Sequence, residues 1–339
     1  MPTAPIDFPG AVVPPRTVLS GVGRKLDRLL PPAVPLARSA PAASRRWGWQ
    51  LLAGVGVFAV AQSTVLLGTG IAATVTGTQG TGSRMDDIYS QPLSFAIGAC
   101  VSALVAVGGY WVFMRWIRGV TVTELAGPGK IREYAVGLGL GTLLITVVVA
   151  VLAVCGCYRV TSVGWDEGVL IGIGTGLAAG FAEEILFRGL LLRLLEQWLG
   201  TGWALGLTAV LFGAVHITNP EASIFGAVAI MLEAGVLLGA CYLVTRRLWL
   251  AFGTHTAWNF VQGGIFGSDI SGTGTGRGLF EARFTGPELL TGGDMGIEGS
   301  LVAVVVCTAA GLGLMLVARR RGLLLPRRPR AGAMTQKAQ

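Results

Sequence analysis

The chain has 339 residues, 52% of them hydrophobic and 13% charged, with a formal net charge of +8 and a mean hydropathy of +0.66. So apolar a composition excludes an ordinary soluble domain and points to an all-α polytopic membrane protein of about eight spans, ~20 residues each. The positive residues cluster at the two ends and in short loops, which reads as cytoplasmic anchoring of membrane helices and not as a nucleic-acid surface.

Residues 1–45 are rich in Pro, Ala and Arg and lack sustained periodicity. A disordered or surface-lying cytoplasmic tail is expected there, with a short interfacial helix over 24–30 and no cleavable signal peptide. Apolar runs then predict spans over 49–75, 93–116, 134–154, 168–192, 202–217, 222–245, 248–266 and 301–318. The fifth is closed by Asn219 and Pro220, where a helix cannot continue. Cys100, Cys155, Cys157, Cys241 and Cys307 show no CxxC spacing, so neither a zinc ribbon nor a disulfide framework is expected.

The loops set a topology. Arg45 and Arg46 precede the first span, and Arg319, Arg320 and Arg321 follow the last. Arg115, Arg118, Lys130 and Arg132, then Arg193, then Arg246 and Arg247 follow spans two, four and six. The alternate loops carry acids: Asp86 and Asp87, Asp166 and Glu167, Glu221, and Asp269 to Glu298. This alternation predicts a cell-membrane protein with both termini cytoplasmic. It organises the chain as a tail (1–45), two additional N-terminal helices (46–125), a core (130–266), an extracytoplasmic loop (267–299), and a last helix with a basic tail (300–339). The loop is read as a solvated connector in preference to a lid.

Within the fourth span, residues 181–193 read FAEEILFRGLLLR. A charge near the bilayer centre costs about 2.5–3.5 kcal/mol on insertion scales, so intramembrane ionisable residues mark a functional site by default. Gly168, Gly172, Gly176 and Gly180 recur every four residues, a stripe that lets another helix approach closely, and Glu184 and Arg188 continue it. Glu184 and Arg188 are therefore expected to pair with each other. Glu183, turned about 100° away on the face of Phe187, is left for chemistry.

Its expected partners are the only two histidines, His216 and His255, both inside predicted spans, and Asn259, one turn beyond His255. A carboxylate, two imidazoles and a carboxamide gathered away from water suit water-activating hydrolysis. The histidines can either bind zinc together with Glu183 or supply oxyanion contacts without a metal. Glu233, midway through the sixth span, is read as a structural acid that pairs with Arg188, lines the cavity, or bonds a neighbouring helix.

The EExxxR of Glu183 to Arg188, the FxxxH of Phe212 to His216 and the HxxxN of His255 to Asn259 resemble, in order and spacing, the three motifs of the CPBP intramembrane protease family. That family includes the type II CAAX prenyl endopeptidases and bacteriocin-processing homologues, also called the Abi family. The resemblance covers about residues 130–266. It implies an intramembrane endopeptidase, metallo- or glutamate-type, acting on a membrane-associated protein or peptide in the lipid bilayer. Glu183, with Glu184 beside it and Arg188 orienting the pair, would activate water together with His216; His255 and Asn259 would supply the remaining ligand or oxyanion contacts. No HExxH zinc helix is present. The competing readings are a non-catalytic scaffold or immunity protein that keeps the family fold, and a proton-coupled transporter, which internal repeats would favour and which the sequence lacks.

Overall fold

The computed structural model describes residue 33 and residues 47–76, 90–117, 119, 121–274 and 276–327. Apart from Ala33, the expected tail with its interfacial helix lies outside the described residues, as do Arg46, Asp86, Asp87, Arg118 and the basic residues beyond 327.

The long helices are α1 (Trp47–Thr76), α2 (Pro92–Ile117), α3 (Lys130–Val154), α4 (Gly168–Leu199), α5 (Thr201–Thr218) and α6 (Ile224–Thr245). They are followed by α7 (Trp249–Asn259, continued as π-helix over Phe260–Ile265) and α8 (Leu301–Arg320). Among the described residues, seven are long and apolar enough to cross a membrane, all but α7. The protein is an all-α polytopic membrane protein. The seventh predicted span, α7, differs in kind from the others. It is shorter, and every residue from Leu250 to Asn259 is buried, as befits a helix enclosed by other helices on all sides.

Local chemistry sets the helix ends near the site. Asn219 is extended, the conformation that a following proline imposes, and α5 stops before it. The hydroxyls of Ser223 and Ser300 accept from the backbone N–H of Gly226 and Ala303 and start α6 and α8.

Two glycine faces grip α7. On α4, a Cβ at Gly176 would stand 2.5 Å from the Thr256 carbonyl oxygen, and one at Gly180 would stand 2.6 Å from the Thr256 hydroxyl. On α3, a Cβ at Gly137 would stand 2.5 Å from the Leu250 carbonyl oxygen and 2.9 Å from the Thr254 nitrogen. Backbones this close leave no room for any side chain, which is what small-residue stripes achieve between membrane helices.

The loop 267–299 is folded onto the bundle, contrary to its reading as a solvated connector. Its strand β2 (Phe280–Phe284) pairs antiparallel with β1 (Tyr158–Val163), which lies between α3 and α4. The Asn219 carboxamide donates to the Ser271 carbonyl at 2.6 Å, and Gln262 donates to the Asp269 carbonyl at 2.6 Å. These bonds tie the loop to the ends of α5 and α7.

Three arginines read as loop charges are internal. Arg193 pairs with Glu124, Arg246 with Glu196 at 2.6 Å, and Arg247 with Glu133 at 2.8 Å. Each closes a helix junction with its charge matched, so burial does not strand it.

The clasp makes one prediction about stability. Gly137→Ala should destabilise the protein by about 1–3 kcal/mol through overpacking. Gly139→Ala on the same helix, where a Cβ meets nothing within 4 Å, should be neutral or slightly stabilising. Thermal unfolding of the two variants in detergent measures the difference.

Candidate active site

Glu184 continues the α4 glycine stripe, and because that stripe packs on α7, its carboxylate meets His255. Glu184 Oε1 accepts from Arg188 Nη1 at 2.6 Å and from His255 Nδ1 at 2.9 Å. All three residues are buried. A carboxylate held against a guanidinium only accepts, so Nδ1 of His255 carries the hydrogen and Nε2 is left for other partners.

The expected Glu184–Arg188 pair is therefore present, but it is not closed on itself. Glu184 serves His255 as well as Arg188, because the neighbour admitted by the glycine stripe is the His255 helix itself. Glu183 is half-buried. Its Oε2 is buried without a hydrogen-bond partner, and no hydrogen bond or ion pair joins it to His216, His255 or Asn259.

His216 sits in the last, 3₁₀ turn of α5 (His216–Thr218). Its Nδ1 lies 2.6 Å from the Phe212 carbonyl oxygen; a carbonyl only accepts, so here too Nδ1 carries the hydrogen and Nε2 is left. Phe212 links the polar groups. Its ring centroid is 4.9 Å from that of His216 and 6.1 Å from that of His255. The Arg188 guanidinium carbon stands 4.4 Å from the same centroid, a cation–π contact. Phe187 packs edge-on against Phe212 at 4.9 Å, so the α4 face that Glu183 shares with Phe187 turns toward the histidine side.

His216, His255 and Asn259 line one pocket that is partly open to the outside, with Phe212, Trp258, Glu233, Ser271 and Glu298 also on its wall. Glu183 and Glu184 are not on that wall; Glu184 reaches it through His255. Three helices beside the site contain π-helical stretches: 185–192 in α4, 231–235 in α6 and 260–265 in α7. Such stretches are frequent at functional sites because they re-aim side chains from the α-helical register.

Glu233 does not pair with Arg188, whose Nη2 donates instead to the Ala234 carbonyl at 3.1 Å. Glu298, outside the spanning helices, was not anticipated. Its Oε2 accepts from Trp258 Nε1 at 3.3 Å. Burial, opposed by the nearby polar groups of Ser271 and His216, holds its carboxyl above the ordinary carboxylate range. The only sequence signal for it is an acid set among Met295, Gly296, Ile297 and Gly299, a pattern of a buried turn.

Among the described residues, no three His, Cys, Asp or Glu side chains are grouped to hold a metal ion. Of the set His216, His255 and Glu183, the two histidines share the pocket wall and Glu183 lies off it.

The fold and the cavity define a multi-pass membrane protein with histidines and carboxylates gathered inside its bundle. Residues 165–261 match the family described as type II CAAX prenyl endopeptidase Rce1-like. The match is less than a third of the chain and holds all three motifs, in agreement with the resemblance that they carry. The matched stretch has a CAAX-type intramembrane protease fold. No curated protein matches the chain, and no solved structure does.

The Glu184 contacts predict that Arg188→Ala costs about 3–5 kcal/mol, because it strands a buried carboxylate. Combining it with Glu184→Gln should recover much of that loss. A double-variant cycle of unfolding in detergent checks this coupling.

Proposed function

We propose that the protein is an intramembrane endopeptidase of the cell membrane that hydrolyses a peptide bond of a membrane-associated protein or peptide, with both termini cytoplasmic. The observation that carries this reading is the buried Arg188–Glu184–His255 relay, ending on a cavity that His216 and Asn259 also line.

In this reading water is held at Nε2 of His216, whose other nitrogen is occupied by the Phe212 carbonyl. Glu183 is the base that takes the proton, a role supported by its unpartnered buried oxygen. General-base contacts commonly tighten only when substrate binds, and this role requires Glu183 to turn toward the pocket. His255, oriented through Nδ1 by Glu184, and the Asn259 carboxamide one turn along α7 donate to the oxyanion; His255 does so from Nε2 when both its nitrogens are protonated. Arg188 positions Glu184 and touches no reacting atom. No step is routed through a metal, because the donor set does not gather.

Glu183→Gln, His216→Ala and His255→Ala should each lower peptide cleavage at least a hundredfold, roughly the share of a general base or oxyanion donor. The proteins should stay folded in detergent. Normal turnover by all three would overturn the reading and leave a binding scaffold. Loss in Glu184→Gln with none in Glu183→Gln would move the base to the Glu184–His255 pair. Exhaustive treatment with a zinc chelator should leave turnover intact; loss that added zinc restores would assign a metal mechanism.

A further inference from the structure

The cavity carries a second polar wall that the proposed reaction does not use. Glu233, in the π-helical stretch of α6, is 1% exposed, and neither of its carboxylate oxygens has a hydrogen-bond partner. Glu298, 3% exposed, also lines the cavity; its Oε1 has no partner. Glu233 and Glu298 thus stand on one pocket wall, and among the described residues neither acid forms an ion pair. A structural acid in a bundle would bond a neighbouring helix, and Glu233 forms no such bond. Burying acceptors without partners is costly, so the wall is suited to a ligand that brings donors.

We infer that Glu233 and Glu298 form a subsite for a cationic side chain, an ammonium or a guanidinium, of the peptide bound in the cavity; this rests on the endopeptidase reading. The chemistry selects that class. In their ionised form the three unpartnered buried oxygens only accept, which matches a group that only donates, and the lysine ammonium offers three donors and no acceptor. The wall also carries an apolar part, with Leu237, Leu238 and Ile230 beside the aromatic Phe212 and Trp258. It suits the aliphatic stem and the charged head of such a side chain. A small inorganic cation would need six or more oxygens at close range, which this wall does not supply.

The test uses the purified full chain in detergent and matched quenched peptides carrying, at one position, lysine, arginine or the neutral norleucine. Each peptide is made with a free and with an acetylated N-terminus. The wild-type protein should cleave the lysine or arginine peptide with kcat/KM about tenfold or more above the norleucine peptide, as one charge-assisted contact warrants. Acetylation should not remove the preference. In Glu233→Gln, and separately in Glu298→Gln, the ratio should fall to near one. A ratio near one in the wild type, or one that survives both substitutions, overturns the subsite. A preference lost on acetylation overturns it too, because it reassigns the cation to the peptide's terminus.

Binding separates this inference from the catalytic reading. Butylammonium, against n-butanol and sodium chloride at equal ionic strength, should raise the melting temperature of the wild type but not of Glu233→Gln. That result supports the subsite even if no peptide is cleaved, which would count against the protease reading alone. An equal rise with sodium, or none with butylammonium, overturns the subsite even if peptides are cleaved.

Discussion

The close approach of α4 to α7 is the constraint on which the site depends. Gly176 and Gly180 bring the α4 backbone against Thr256, and one turn further along the same stripe Glu184 comes within 2.9 Å of His255. On the opposite flank, Gly137 brings α3 against Leu250 and Thr254. A helix wedged in this way has little freedom to slide, because protein interiors are bistable or rigid and not continuously deformable. The orientation of His255 is thus set by packing before any hydrogen bond is counted. The hydrogen bond to Glu184 then fixes its tautomer.

The bundle handles charge in two ways. Arg188, Arg193, Arg246 and Arg247 each meet a glutamate, and these matched pairs close helix junctions or support the site. Glu183, Glu233 and Glu298 are different: among the described residues none of them forms an ion pair, and each has at least one buried oxygen without a hydrogen-bond partner. Matched pairs belong to the framework, whereas unmatched acids face work that the framework does not do. The loop 267–299 joins this second group, because it lends Glu298 and Ser271 to the cavity wall.

Much of this was legible in the residues. Apolar runs of ~20 residues separated by charged loops give the membrane bundle directly, because an unpaired backbone cannot cross a bilayer except as helix or barrel. The histidines, each with Asn259 or Phe212 at one-turn spacing, point to the candidate site, and the fold brings all four to one pocket. The pairing within 181–193 was legible only in part. Helical-wheel arithmetic joins Glu184 to Arg188, since both lie on one helix, but it cannot say which helix lies opposite. The arginines at 193, 246 and 247 look like loop charges for the same reason: their glutamate partners are far away in sequence.

What the sequence by itself determined is the set of local facts: spans, glycine stripe, motif spacing and the scarcity of ionisable groups within apolar runs. These follow from hydrophobic length and helical period, which act over a few turns. Only the tertiary structure decided that His255 answers to Glu184, that α7 is enclosed and not lipid-facing, and that Glu233 and Glu298 share a cavity. Those outcomes depend on which helix faces meet and on π-helical turns that shift side chains out of the α-helical register. Contact between residues 71 positions apart, as for Glu184 and His255, is a property of packing, and no local pattern encodes it.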